Sequence, residues 1–183
     1  MEKRKLLNSE LKRLSPQEFK TVAKLPITLV LDNVRSSHNI GSAFRTSDAF
    51  CIEKIILCGI SSTPPSAEIH KTALGAEDSM CWEYFKNTED AIAVLLSENY
   101  LPVAIEQTEN SVLLNDFIPE KSRKYALVFG NEVKGVQQNI VDMCHECIEI
   151  PQFGVKHSLN VSVSIGIALW HFHHINRSTH REI

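Results

Sequence analysis

The 183 residues contain only seven glycines, and no two of them stand in a G-x-G pair. That absence removes the dinucleotide-binding fingerprint of the common nucleotide folds. No apolar run reaches the roughly 18 residues of a membrane-spanning helix. The opening "MEKRKLLNSELKRL" is charged and has no apolar core, so it does not read as a secretory signal. Cysteine is scarce and odd in number: five residues scattered through apolar segments. That usage argues against a disulfide framework and for reduced thiols in the cytoplasm. No internal repeat, low-complexity tract or linker is visible. Excess positive charge is also missing. The net charge is −3, so the protein is not globally basic.

What is present is ordinary for a water-soluble domain: 43% hydrophobic and 22% charged residues. The length fits one domain with a core large enough to need no staples. Charge is unevenly spread. Residues 1–24 hold seven Lys/Arg against three Glu, a local charge of +4 that leaves −7 for the remainder. A basic arm on an acidic body suits a polyanion, and equally suits a solvated helix face.

The apolar pattern predicts a helix over 3–13. Ser15-Pro16-Gln17-Glu18 is a capping box with proline at the first helical position, opening a second short helix. Strands are predicted at 27–33, 53–59, 81–85, 102–106, 125–130 and 146–151. Helices are predicted at 39–50 and 88–100. Continuous apolar strands alternating with helices imply an α/β fold with a mostly parallel sheet. Ligands in such folds bind beyond the carboxyl ends of strands. The stretch "HSLNVSVSIGIALW" (157–170) is ambiguous. Its strict alternation reads as a strand, but its length fits a buried helix better.

Three loops that follow strands carry polar residues no core requires. In "DNVRSSHNIGSAFR", Asn39 and Gly41 open a helix and Arg45 follows on it. A helix N-terminus beside a guanidinium can bind phosphate; the same residues also describe a capped helix with a solvated arginine. In "LVFGNEVKG", Gly130 lets a ligand approach the backbone, and Glu132 lies just past the strand. Gly130 and Gly135 have near P-loop spacing, but Val136-Gln137 replaces the required Lys-Ser/Thr. In "IEIPQFGVKHSLNVS", Ser158 reads as a helix cap, which leaves Asn160 unexplained.

Taken in order, N-x-G-x-x-x-R, a strand ending G-N-E-x-x-G, and I-P…S-L-N-V-S resemble the three motifs of the SpoU (TrmH-type) family. These are RNA 2′-O-ribose methyltransferases of the SPOUT superfamily, and the resemblance spans residues 27 to about 172. It implies an α/β fold with a mostly parallel sheet flanked by helices and a C-terminal deep trefoil knot. It implies S-adenosylmethionine as cofactor, RNA as substrate, and a homodimer whose two subunits together build the site. It also implies that Ser158 onward begins the final helix, with Ser162 and Gly166 four apart for close packing. The expected division is a basic helical arm at 1–24, a methyltransferase domain at 25–176 and a tail at 177–183.

By the same resemblance, Arg45 is the catalytic arginine and Asn39 supports it. Glu132 orients the arginine or the substrate, and Ser158 and Asn160 place the 2′-hydroxyl. Gly130, Asn131, Ile150 and Leu159 match cofactor-holding positions, with Glu106 and Gln107 after the fourth strand adding to that pocket. Arg35, Lys71, Lys134, Lys156 and His157 lie in or near these loops and together suit phosphate contact. The family pattern is departed from at Asn131, where a small residue is common, and at Ser42-Ala43-Phe44. The compact chain points toward transfer RNA over ribosomal RNA. The rival readings are a non-catalytic knotted RNA-binding protein and a base-directed RNA methyltransferase. No membrane and no metal partner is expected: Cys144-His145-Glu146-Cys147 is one C-x-x-C, where a structural zinc site needs two ligand pairs.

Overall fold

A computed structural model describes residues 3–177 of the chain. Its centre is a seven-stranded sheet whose pairings are all parallel. The strands are β1 (Leu25–Asp32), β2 (Ile52–Cys58), β3 (Trp82–Phe85), β4 (Tyr100–Ile105), β5 (Val112–Leu113), β6 (Lys124–Phe129) and β7 (Glu146–Glu149). They lie in the order β3-β2-β1-β6-β4-β7-β5. The helices are α1 (Pro16–Thr21), α2 (Ser37–Ala49), α3 (Ala67–Ala73), α4 (Ala76–Ser79), α5 (Thr88–Ser97), α6 (Gln138–Val141) and α7 (Val161–Arg177).

The strands are apolar on both faces because both faces are covered. Ile27, Leu29 and Leu31 of β1 pack with Ile40 and Phe44 of α2 and with Ile165, Leu169 and Phe172 of α7. Val30, from the other face of the same strand, packs with Ala91, Ile92 and Leu95 of α5 and Ile140 of α6. Strand side chains alternate between faces, so an uninterrupted apolar strand is what a two-sided parallel sheet requires. Because every strand runs the same way, the loops after β1, β4, β6 and β7 emerge at one edge, and the candidate site lies there.

The basic arm departs from expectation. Residues 3–13 contain a single 3-10 turn, Asn8–Glu10, rather than a helix. Leu6, Leu7, Leu11 and Leu14 are exposed, so no packed apolar face supports a helix there. The capping box does form: the Ser15 N–H donates to Glu18 Oε2 at 2.7 Å and the Glu18 N–H donates to Ser15 Oγ at 3.2 Å. Helix α3 and the two-residue edge strand β5 were not legible beforehand, being too short for a periodic signal.

The ambiguous stretch resolves as a helix, starting at Val161 rather than Ser158. Asn160 is its cap: Asn160 Oδ1 accepts the Ser162 N–H at 2.9 Å and the Ser162 hydroxyl at 2.6 Å. Its alternation has a helical meaning. Ile165, Ala168, Leu169 and Phe172 are buried, while Val163, Ile167 and Trp170 form a second, exposed apolar stripe. The smallness of Gly166 has no use within the protomer, since an added Cβ meets nothing within 4 Å.

Candidate active site

A cavity of about 670 Å³ opens at the strand ends, walled by the loops after β4, β6 and β7. It gathers Glu106 and Gln107 from the first loop, Gly130, Asn131, Glu132 and Lys134 from the second, and Ile150, His157, Ser158, Leu159 and Asn160 from the third. Its size is that of a small-molecule site.

Beside it, one hydrogen-bond chain joins the three motif segments. Asn160 Nδ2 donates to Asn39 Oδ1 at 3.2 Å, and Asn39 Nδ2 donates to Glu132 Oε1 at 2.9 Å. The Glu132 carboxylate also accepts the Arg35 and Ser36 N–H groups, each at 2.9 Å. Burial works to raise the Glu132 carboxyl, but the donors from Arg35, Asn39, Ser36 and its own N–H outweigh it and hold it below the ordinary glutamate range. Glu132 therefore takes the place ahead of α2 that the sequence offered to a phosphate. Its hydrogen bonds go to the Arg35–Asn39 segment and to no arginine side chain. Both ends of the Asn160 amide are likewise engaged, whereas the exposed Ser158 hydroxyl has no hydrogen-bond partner among the described residues.

The loop after β6 is rigidly built. Asn131 and Gly135 exchange backbone bonds at 3.0 and 2.8 Å, and Asn131 Oδ1 accepts the Val133 and Lys134 N–H groups. Asn131 Nδ2 donates to the Asn33 carbonyl at 2.8 Å. Asn131 thus serves the turn through both its side chain and its backbone. Gly130 lines the cavity and is also required by the chain's own backbone. A Cβ there would stand 2.0 Å from the Gly135 carbonyl carbon and 2.1 Å from the Val136 nitrogen. Gly41 has a similar reason, since its Cβ would meet the Ile69 carbonyl oxygen of α3 at 2.2 Å. Glu106 has both oxygens occupied: Oε1 accepts the Gln107 N–H and Oε2 the Val136 N–H, each at 2.9 Å.

Arg45 does not line this cavity. It is exposed, and its guanidinium has no partner among the described residues. It sits about 9 Å along and about 120° around α2 from Asn39. Ala49, one turn on, shares its exposed face, and the next residue, Phe50, meets Trp170 of α7 edge-on at 6.3 Å. Of the five expected phosphate contacts, only Lys134 and His157 line the cavity. Arg35 and Lys156 are exposed outside it, and Lys71 pairs with Glu68 at 2.6 Å.

Sequence reasoning missed Asp32. It is fully buried at the end of β1 and receives four donors. Its signal was an acid closing the apolar run "ITLVL". Among the described residues no three His, Cys, Asp or Glu side chains gather to hold a metal ion. Burial, reinforced by the charges of Cys147 and Asp32, pushes the Cys144 thiol up to about 12.

Residues 26–170 match the model of the SpoU rRNA Methylase family. The 23S rRNA (guanosine-2'-O-)-methyltransferase RlmB of Escherichia coli strain K12 is 32% identical over 145 residues, covering 79% of this chain and 58% of that protein. The enzyme of the same name from Neisseria meningitidis serogroup B is 28% identical over 151 residues, covering 82% and 59%. This chain thus spans under three fifths of the length of these curated relatives. Among solved structures, an A. aeolicus TrmH/SpoU tRNA modifying enzyme superimposes with a TM-score of 0.77 at 25% identity, covering 88% of this chain and 80% of that one. An AdoMet-bound rRNA methyltransferase from Sinorhizobium meliloti gives 0.76 at 29% identity, covering 87% and 60%. With the family model covering most of its length and the three motif loops meeting at one strand edge, this chain belongs to the SpoU rRNA Methylase family.

Proposed function

We propose that this chain is an S-adenosylmethionine-dependent RNA methyltransferase acting on a ribose 2′-hydroxyl, and that it works as a homodimer in the cytoplasm. The carrying observation is the Asn160–Asn39–Glu132 chain, which draws all three motif segments to the mouth of one cavity. The relatives named above support the reaction class, and the AdoMet-bound relative supports the cofactor. The acceptor RNA is ribosomal or transfer RNA: the sequence relatives act on 23S rRNA, and one structural relative is a tRNA modifying enzyme.

The cavity fits the cofactor by the chemistry of its lining. Ile105, Val136, Ile150 and Leu159 offer an apolar bed for a base, and Glu132 and Glu106 place negative charge where a sulfonium or ammonium is welcome. S-adenosylmethionine, when bound, supplies an activated methyl group on a positive sulfur. Everything else falls to the protein. A ribose hydroxyl is a weak nucleophile, so the growing charge on its oxygen must be neutralised. Arg45, a permanent cation without an internal partner, binds the adjacent phosphate and that oxygen. Ser158, with its hydroxyl open to the cavity, holds the acceptor. Asn39, Glu132 and Asn160 set the geometry of the α2 entry. Lys134 and His157 on the rim, with Arg35 and Lys156 beyond it, meet the RNA backbone. The 2′-oxygen is the feature that separates RNA from DNA.

Arg45 lies outside the cavity of its own chain, on α2, whose C-terminal neighbour Phe50 meets Trp170 of the exposed stripe Val163–Ile167–Trp170. A second copy seated on that stripe brings its cavity to Arg45, so each site draws on both subunits. The trefoil knot is assigned to the segment after β7, a reading supported by the place of β7 between β4 and β5, both of which precede it in the chain. Residues 25–176 are assigned to the methyltransferase domain and residues 1–24 to an accessory basic arm; of the expected tail at 177–183, Arg177 still belongs to α7 and the rest, like residues 1–2, lies outside the described residues.

The test is incubation with methyl-labelled S-adenosylmethionine and RNA fractions from cells lacking the gene. Label is expected in one fraction, at a linkage that resists alkali, and Arg45→Ala is expected to cost about 10²–10³ in kcat. RNA binding with no label in any fraction would overturn the enzyme reading. Label at an alkali-sensitive linkage would move the acceptor from ribose to base.

A further inference from the structure

Asp32 is fully buried at the C-terminal end of β1, and among the described residues no cation pairs with it. Four donors answer it instead. The Thr88 hydroxyl donates at 2.6 Å, Asn33 Nδ2 at 2.9 Å, the Gln137 N–H at 3.0 Å and Gln137 Nε2 at 2.9 Å. Three of the donors reach Oδ1 and one reaches Oδ2, so both carboxylate oxygens are engaged. Burying a carboxylate is costly, and these donors offset that cost. The donors show what the charge is used for. Half come from Gln137, next to Val136 and Gln138, both of which wall the cavity. The preceding N–H, of Val136, is held by Glu106, directly after β4. Two carboxylates at two strand ends thus grip two successive N–H groups of one loop. Gly135 completes the grip with φ +68°, where an added Cβ would stand 2.2 Å from Glu106 Oε2.

We infer that Asp32, through Gln137, is a positioning residue that fixes the 135–138 segment for cofactor binding. Asp32 does not line the cavity, so it acts on affinity through the wall's position and not by contact. The inference rests on the methyltransferase reading above for the identity of the ligand. It predicts a division between the donors. Those on the Gln137 side govern the cofactor, and the Thr88 donor, from the opposite side in α5, governs stability alone.

Calorimetric titration with S-adenosylhomocysteine, beside steady-state kinetics and thermal melting, tests it. Asp32→Asn is expected to raise Kd and the KM for S-adenosylmethionine about tenfold, with kcat changed less than about threefold. Gln137→Ala, at an exposed position that tolerates truncation, is expected to raise Kd about threefold. Thr88→Val is expected to lower Tm with Kd unchanged. If Kd follows Tm across all three variants, Asp32 is a structural residue and the inference is overturned. Unchanged Kd in Asp32→Asn and Gln137→Ala overturns it equally. Should Asp32→Asn fail to fold, the contrast between Gln137→Ala and Thr88→Val decides. If the wild type binds S-adenosylhomocysteine but transfers no methyl group, the proposed reaction fails while the Kd contrast still decides this point. If it binds none, both fall.

Discussion

Two rims of one cavity are built in opposite ways. The loop after β6, residues 130–137, is bound to the protein at almost every step. Asn131 and Gly135 pair across it, and the carboxylates of Asp32, Glu106 and Glu132 reach it or brace it against α2. The loop after β7 bears Phe153 and Val155 exposed at 97% and 93%, and its Ser158 is equally open. The first rim is finished within the chain. The second presents two neighbouring apolar side chains almost wholly to water, where the first exposes only Val133, at 75%. Preorganisation belongs where the cofactor sits, and an open rim belongs where a large substrate or a second subunit must arrive.

The largest effect is expected on the finished rim. Gly130→Ala drives a Cβ into the Gly135–Val136 backbone, which cannot give way as a side chain would. A loss of about 3 kcal/mol in unfolding free energy is expected, read by denaturant titration, together with loss of cofactor binding. A variant with wild-type stability would show that this rim is not rigid. Next comes the open side. Trp170→Asp places a charge in the exposed stripe of α7 and is expected to turn a dimer into monomers by light scattering, with the fold intact by circular dichroism. If the variant stays dimeric, the stripe is not the subunit contact. Gly166→Leu tests the same face, where the protomer has room and only a partner would object.

A smaller effect concerns acid. The Glu132 carboxyl is held below the ordinary range, so its stabilising contribution is complete above that range and is lost as pH falls through the depressed folded value. Glu132→Gln is expected to flatten the acid limb of a stability-against-pH curve between about pH 5 and 3, leaving the neutral limb parallel. An unchanged acid limb would remove Glu132 as the brace of the α2 entry. The smallest effect on folding is expected from Phe153→Ser, within about 0.5 kcal/mol of wild type because the ring packs on nothing. RNA methylation should nevertheless fall several-fold. Equal activity would leave the exposed rim without a role. Thiol chemistry sorts the same way: exposed Cys81 should react with a maleimide well before Cys58 and Cys144, which burial pushes up to about 12.

Much of this was legible in local chemistry. Strand runs that are apolar at every position announced a sheet covered on both faces. Ser15 and Glu18 announced a capped helix, and the order of Asn39, Arg45, Glu132, Ser158 and Asn160 announced the family. These signals are short-range, or are spacings that a linear reading can count. The arm at 3–13 misled because its leucines had helical spacing but no surface to pack against. A second reason for Gly130 was hidden, because the group that needs its missing Cβ is five residues away and returns by a turn.

By itself, then, the sequence determined the fold class, the motif residues and the apolar tail of the last helix, because periodicity and residue type act along the chain. Only the tertiary structure decided which partner each polar group takes. It gave Glu132 to the α2 entry, Asn160 to the cap of α7 and to Asn39, and Asp32 to a loop 105 residues away. It also left Arg45 outside the cavity of its own chain. Hydrogen bonds are satisfied by whatever donor the fold brings within about 3 Å, and that proximity is a property of strand order, which no local pattern encodes.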